Sequence, residues 1–119
     1  MLLRELFDFL PKSKRSASYG SSEGKYPFFT SSNVIEKYVA EPDYKGEFLI
    51  IGDEGTGNCK FYCGSFSASD HNYLLRPRNK TNANCVQYFL KRNNFKILNE
   101  GFKGVGIKNV SKTYIENID

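Results

Sequence analysis

This sequence has little of what disulfide scaffolds, membrane spans and most enzymes require. It carries three cysteines in 119 residues, and an odd, sparse set leaves one thiol over and makes no disulfide framework. No apolar stretch approaches the roughly 20 residues needed to cross a bilayer. Met1–Leu10 is apolar but contains Arg4, Glu5 and Asp8 and lacks a small-residue cleavage site, so it does not read as a signal peptide. A reducing cytoplasm is the expected compartment, with no membrane partner. There is no internal repeat and no linker, and the length suits a single domain.

Catalytic signatures are equally scarce. No Gly-x-Ser-x-Gly elbow occurs. Gly52–Asn58 is glycine-rich, but no Lys-Ser/Thr follows and the next segment reads as a strand, so it is not a phosphate-binding loop. Gly101–Gly106 has its glycines at spacings of three and two, the reverse of the dinucleotide fingerprint. Pro42-Asp43 could open a metal-dependent nuclease motif, but the only Glu-x-Lys, Glu23-Gly24-Lys25, lies upstream of it. The Asn/Asp-Pro-Pro-aromatic motif of amino-methyltransferases is missing. Cys59 and Cys63, four apart on a strand, would stand ~13 Å from each other at ~3.3 Å per residue. That is too far to share a zinc ion with ~2.3 Å bonds. His71 is the single histidine, and Asp70-His71 the single acid–histidine neighbour pair. In a loop such a pair more often stiffens a turn than serves as a general base. No enzyme activity, cofactor or metal is expected.

What the chain does have is core-forming bulk. Hydrophobic residues make up 39% and aromatics 15%, with ten Phe and eight Tyr, enough to fill an interior. The formal charge of +4 is mildly basic and suits a polyanion without requiring one. The organising stretch is Glu47–Pro77. Glu47–Asp53 reads as a strand whose run Phe48-Leu49-Ile50-Ile51 does not alternate, as expected of a strand covered on both faces. Glu54–Asn58 is a turn, and Cys59–Cys63 a second strand broken by Gly64. Ser65–Asn72 is a loop, and Tyr73–Arg76 a third strand stopped by Pro77.

Around this centre, Leu2, Leu3, Leu6, Phe7 and Leu10 recur at helical spacing and predict a short helix ended by Pro11. Residues 12–22 form an exposed basic loop. Lys25–Thr30 reads as an edge strand because of Pro27, 31–33 as a turn, Val34–Val39 as another strand, and 41–46 as a turn. Thr81 or Asn82 can cap a helix over Ala83–Asn93, with Lys91 and Arg92 complementing its dipole. Phe95–Leu98 fits a strand or a further helical turn. Gly101–Gly106 is a flexible loop, and Ser111 can cap a last helix, Lys112–Asn117. The fold class is α/β (α+β), a single domain with a curved, mostly antiparallel β core and short flanking helices.

Basic residues gather in the turns: Lys12, Lys14 and Arg15; Arg76, Arg78 and Lys80; Lys103 and Lys108. Small polar residues accompany them. Lys and Arg neutralise phosphates, while Ser, Thr and Asn donate to phosphates or base edges. Phe28, Phe61 and Phe66 read as core rather than as stacking platforms.

The order of segments carries a resemblance. Gly24–Asn33, Tyr44–Asn58, Ser69–Pro77 and Gly104–Ile118 are similar to the target recognition domains of specificity subunits in type I restriction–modification enzymes. Leu2–Leu10 and Ala83–Leu90 stand where that family has helices. The resemblance implies sequence-specific binding of one half of a bipartite double-stranded DNA target in the major groove, without chemistry. It implies as partners methyltransferase (modification) subunits and a second recognition domain. The phosphate anchors would be Lys12, Lys14, Arg15, Lys103 and Lys108, with Asn109 beside them. The base readers would be Ser31, Ser32, Asn33, Thr56, Asn58, Ser69, Asp70 and His71. The family's chains continue past a position like Ile118 into a long spacer helix, whereas these residues stop at Asp119. Residues 1–119 are therefore expected to form one recognition domain lacking the spacer helix, which is then unavailable for homodimerisation. The alternative is a free-standing interaction module or decoy that competes with restriction–modification assembly.

Overall fold

The structure is a computed structural model that describes residues 1–32 and 34–119. Asn33, assigned above to a turn and to base reading, lies outside the described residues. The elements run α1 (Leu3–Leu6), β1 (Phe7–Phe9), a 3-10 turn (Ala17–Tyr19), β2 (Tyr26–Phe29), β3 (Lys37–Val39), β4 (Tyr44–Gly52), β5 (Cys59–Ala68), β6 (Asn72–Pro77), α2 (Ala83–Asn99), β7 (Phe102–Lys103), β8 (Asn109–Val110) and α3 (Lys112–Glu116). Six strands form one sheet in the order β1-β6-β4-β5-β2-β3, and β7 pairs with β8. Every pairing in the large sheet is antiparallel except β2 with β5. The expected mostly antiparallel α/β domain is the fold observed.

The run Phe48–Ile51 is buried throughout, and its side chains divide between two cores. Leu49 and Ile51 join Tyr73, Leu75, Phe7, Leu90, Leu98, Ile115 and Ile118 beneath the helices. Phe48 and Ile50 join Phe29, Phe66, Ala68 and Leu74 on the other face. That second core is largely aromatic. Phe66 meets Phe48 at 5.2 Å and Phe29 at 5.5 Å, both edge to face, the geometry aromatic quadrupoles favour. A strand sealed on both faces can bury an unbroken apolar run, which alternation would forbid.

Several expected boundaries are corrected. The helix predicted over Leu2–Leu10 is confined to Leu3–Leu6, and Phe7–Phe9 pairs with β6 instead, Phe7 opposite Pro77 and Phe9 opposite Leu75. Phe7 fits the helical spacing, but Phe7 and Phe9 also alternate as a strand does, and β6 supplies the backbone partners. Gly64 does not end β5. It lies opposite Gly46, and both have positive φ, +146° and +132°, so the two glycines bend the ribbon while pairing continues to Ala68. The loop expected at Ser65–Asn72 shrinks to residues 69–71, and β4 begins at Tyr44 rather than after Gly46. β3 is limited to Lys37–Val39, with Val34 and Ile35 exposed ahead of it.

Asn82 caps α2, its Oδ1 accepting the Cys85 N–H at 3.1 Å. The helix runs on past Asn93 across a kink where Asn93, Asn94 and Phe95 all have φ between 53° and 61°. Asn tolerates this left-handed region; Phe does so only with strain. Residues Phe95–Leu98 are thus a kink and a further turn, not a strand. Phe102–Lys103 and Asn109–Val110 turn the expected glycine-rich loop into a small ribbon. Ser111 caps α3, its Oγ accepting the Tyr114 N–H at 3.1 Å. Among the described residues no helix is long and apolar enough to cross a membrane.

Candidate nucleic-acid interface

The polar turns reach one another at the end of β4. Asp53 follows β4 directly. Its N–H donates to the His71 carbonyl at 3.0 Å, and its own carbonyl accepts the Val110 N–H at 3.0 Å. Gly55 N–H donates to the Lys108 carbonyl at 2.8 Å, so the 53–58 turn is zipped to the 104–110 segment. Asn58 is buried; its Nδ2 donates to the carbonyls of Ser31 at 2.9 Å and Thr56 at 3.3 Å. The 69–72 turn is fastened to two other segments where it begins. Ser69 N–H donates to the Phe29 carbonyl at 2.8 Å, and Asp70 N–H to the Arg15 carbonyl at 2.7 Å. The loop after β1, the 30–32 turn, the 53–58 and 69–72 turns and the 104–109 loop are therefore hydrogen-bonded into one assembly.

An open groove of about 770 Å³ lies across it, and Ser31, Ser32, Thr56, Asn58 and Lys108 are among its walls. Lys37 and Glu54 also line it. Gly52 passes close beneath, where an added Cβ would stand 3.0 Å from the Ser31 backbone. A second groove, of about 460 Å³, is bordered by Lys12, Lys14, Arg15, Asp43 and Tyr44. The two share no wall residue. Lys103 and Asn109 are exposed and face each other across the β7–β8 ribbon.

Two of the expected phosphate anchors are already engaged. Lys12 forms an ion pair with Asp53 and stands 4.2 Å over the Tyr73 ring. Arg15 holds Asp43 through Nε and Nη2, each at 3.1 Å, and lies 4.1 Å over Tyr19. The Arg15 guanidinium, hydrogen-bonded to Asp43, holds that carboxyl below its usual range. Lys14, Lys103 and Lys108 are exposed. Two of the expected base readers are buried. Asn58 is tied as above, and Ser69 Oγ accepts from Asn72 Nδ2 at 3.1 Å and from His71 N–H at 3.3 Å. Both side chains hold the turns from within. Ser31, Ser32, Thr56, Asp70 and His71 retain exposed or half-exposed surface.

His71 is partnered, but not primarily by its neighbour. Its Nδ1 lies 3.1 Å from Asp53 Oδ1 and 3.5 Å from Glu54 Oε2, whereas Asp70 is 3.8 Å from Nε2. Among the described residues no set of His, Cys, Asp and Glu is arranged to hold a metal ion; the cation on Asp53 is Lys12.

Sequence reasoning missed Asp53, Glu54 and Lys60. The signal was an acid placed directly after an apolar run: a carboxylate at the end of a doubly covered strand has to find a cation or donors. Lys60 alternates into the aromatic face, 6.0 Å from the Phe29 ring, and donates to Asn58 Oδ1 at 2.9 Å. Burial pushes its ammonium down to about 8. Cys59, its neighbour on the helix side, is pushed up to about 12 by burial.

A family model described as the type I restriction modification DNA specificity domain matches residues 1–119. The chain is 27% identical over 110 residues to the type I restriction enzyme EcoDI specificity subunit of Escherichia coli, covering 92% of this chain and 24% of that protein. The crystal structure of a type I restriction-modification system S subunit from M. genitalium superposes with a TM-score of 0.81 at 16% identity, covering 99% of this chain and 32% of that one. A second structure, from work on complex assembly and conformational transition of the type I R-M system, superposes at 0.64 with 14% identity and the same two coverages. The chain thus spans about a quarter of the curated relative and about a third of each solved chain.

Proposed function

We propose, from the premise that this chain belongs to the family of type I restriction modification DNA specificity domains, that it binds one half of a bipartite double-stranded DNA target through the major groove. Residues 1–119 act as one recognition domain. Its role is recognition, with no reaction of its own. Its partners are methyltransferase subunits and a second recognition domain, and its compartment is the cytoplasm. The names of the matching proteins, specificity and S subunits of type I systems, support that setting.

One observation carries the reading. Turns from separate parts of the chain are hydrogen-bonded to one another around an open groove whose walls include Ser31, Ser32, Thr56 and Lys108. Hydroxyls can donate to or accept from base edges, and exposed lysines neutralise phosphates. Lys14, Lys103 and Lys108 are the phosphate contacts in this reading. Ser31, Ser32, Thr56, Asp70 and His71 face the bases, and Asn33 is counted among the base readers. Asn58, Ser69, Lys12 and Arg15 set the positions of the turns, and Asn109 keeps the 104–109 loop against Glu54.

Selection from a random duplex pool, followed by gel shifts at several salt concentrations, tests this. The expected result is one enriched short motif and a steep loss of affinity as salt rises. A failure of every duplex to bind at low salt would overturn the reading and favour a protein-interaction role. Incubation of the protein with DNA and Mg²⁺ should leave the DNA intact.

A further inference from the structure

We propose that Asp53 is a positioning residue that fixes the proton of the His71 ring on Nδ1, so that Nε2 meets the DNA as a hydrogen-bond acceptor and selects a base carrying an exocyclic amino group. This rests on the DNA-binding reading above and names the chemistry of one of its contacts.

The argument starts from how firmly Asp53 is held. Its backbone is bonded on both sides, to His71 and Val110. Its side chain is only 8% exposed, with Lys12 on Oδ2 and His71 Nδ1 at 3.1 Å from Oδ1. An ionised carboxylate can only accept hydrogen bonds. The ring nitrogen facing it must therefore carry the proton, and a neutral imidazole then has its lone pair on the other nitrogen. The carboxylates nearest the ring lie on the Nδ1 side. Glu54, the second carboxylate, also lies on the Nδ1 side, at 3.5 Å. Asp70 is nearest to Nε2, but 3.8 Å is beyond hydrogen-bond range, and its side chain is 46% exposed. Lys12 balances the charge of Asp53 from the far side.

The ring is also held in place. Its backbone N–H is bound by Ser69 Oγ. The next residue, Asn72, is fully buried and donates to Phe29 and Ser69. With Nδ1 turned to a buried acid, 44% of the side chain remains exposed. Glu54, which touches this histidine, also lines the open groove. In the major groove the hydrogen-bond donors are the amino groups of adenine N6 and cytosine N4; guanine O6 and N7 and thymine O4 are acceptors. An acceptor at this point therefore favours adenine or cytosine.

Two measurements decide it. The first needs no DNA. The chain has a single histidine, so its ring ¹⁵N shifts at pH 8 can be read without ambiguity. A protonated Nδ1 and a bare Nε2 are expected; a proton on Nε2 overturns the inference. The second uses the wild-type protein on its selected duplex, with purine replacing adenine, or 2-pyrimidinone replacing cytosine, one position at a time. One such amino deletion should weaken binding about tenfold. In His71→Ala the same deletion should cost nothing, while deletions elsewhere keep their effect. Asp53→Asn can donate its amide to Nδ1 and so move the proton to Nε2. Where that variant folds, it should shift preference at the same position towards guanine or thymine. Specific binding in which no amino deletion couples to His71 sinks this inference and leaves the proposed function standing. A protein with the expected tautomer that binds no duplex removes both.

Discussion

The body of β4 and the turn that leaves it differ in what surrounds them. Along Phe48–Ile51 the strand is sealed by apolar side chains on both faces. One residue beyond Gly52 the chain enters a region held by ion pairs and hydrogen bonds: Lys12 with Asp53, Asp53 with His71, Asn58 with Ser31. The first region is stabilised by area removed from water, which is non-directional. The second is directional, and each partner there fixes the orientation of another. On the proposed reading, stability and recognition are thereby housed in adjoining but chemically distinct parts of one ribbon, and mutations should separate them.

The largest effect should come from the sealed part. Leu49→Ala, at a fully buried position, is expected to cost about 3–5 kcal/mol, as deletions of large core side chains do. Urea unfolding would measure it, and the selected base motif should not change in the fraction that remains folded. Next comes Asp53→Ala, which strands Lys12 and frees His71. Removing one member of a buried pair can cost about 3–5 kcal/mol, and the partial exposure of Lys12 places this case at about 2. Unlike Leu49→Ala, it should also blur base preference in a duplex selection. If both substitutions changed stability alone, the comparison would collapse.

Lys108→Ala should leave the urea midpoint in place and weaken all duplexes alike, lowering the salt slope by about one. Titration sharpens the contrast further. Lys60 is held down at about 8 by burial, against an ordinary 10.5. Between those values the unfolded chain binds more protons than the folded one, so stability should rise with pH above about 8. Cys59 acts in the opposite sense. Its folded value of about 12 exceeds its ordinary 9.0, so stability falls as pH rises through that window. Unfolding free energies should therefore climb between pH 8 and 9 and then level off, and Lys60→Met should abolish the climb. The smallest effect belongs to Arg78→Ala. Its pair with Asp8 at 2.7 Å is well exposed on both sides, so the change in thermal midpoint should correspond to less than about 0.5 kcal/mol.

The sequence exposed the sealed part more clearly than the directional part. A four-residue apolar run declared β4 covered on both faces, and the cap candidates Thr81 or Asn82, and Ser111, announced two helix starts, which Asn82 and Ser111 cap. These signals are local. The path of β5 through Gly64 was hidden because a glycine reads as a stop unless its partner Gly46 is known to bend with it. β1 was hidden because Phe7 fits both helical spacing and strand alternation. The charged centre was least legible. Lys12, Asp53 and His71 come from three segments, 41 and 18 residues apart, and no spacing rule joins them. The basic cluster at 12–15 looked free to meet an anion, yet two of its three cations already hold acids of this chain.

The direct passage from β4 into Asp53 has a thermodynamic consequence. A turn that begins on the last hydrogen-bonded residue of a sealed strand and is stitched to two further segments has little freedom left to lose. Ordering a loose loop on docking can cost about 0.5–1.5 kcal/mol for each side chain immobilised, and here most of that cost has been met during folding. Complex formation by such a preorganised surface should show a modest entropic penalty from the protein side, leaving bending and dehydration of the duplex as the dominant unfavourable contributions.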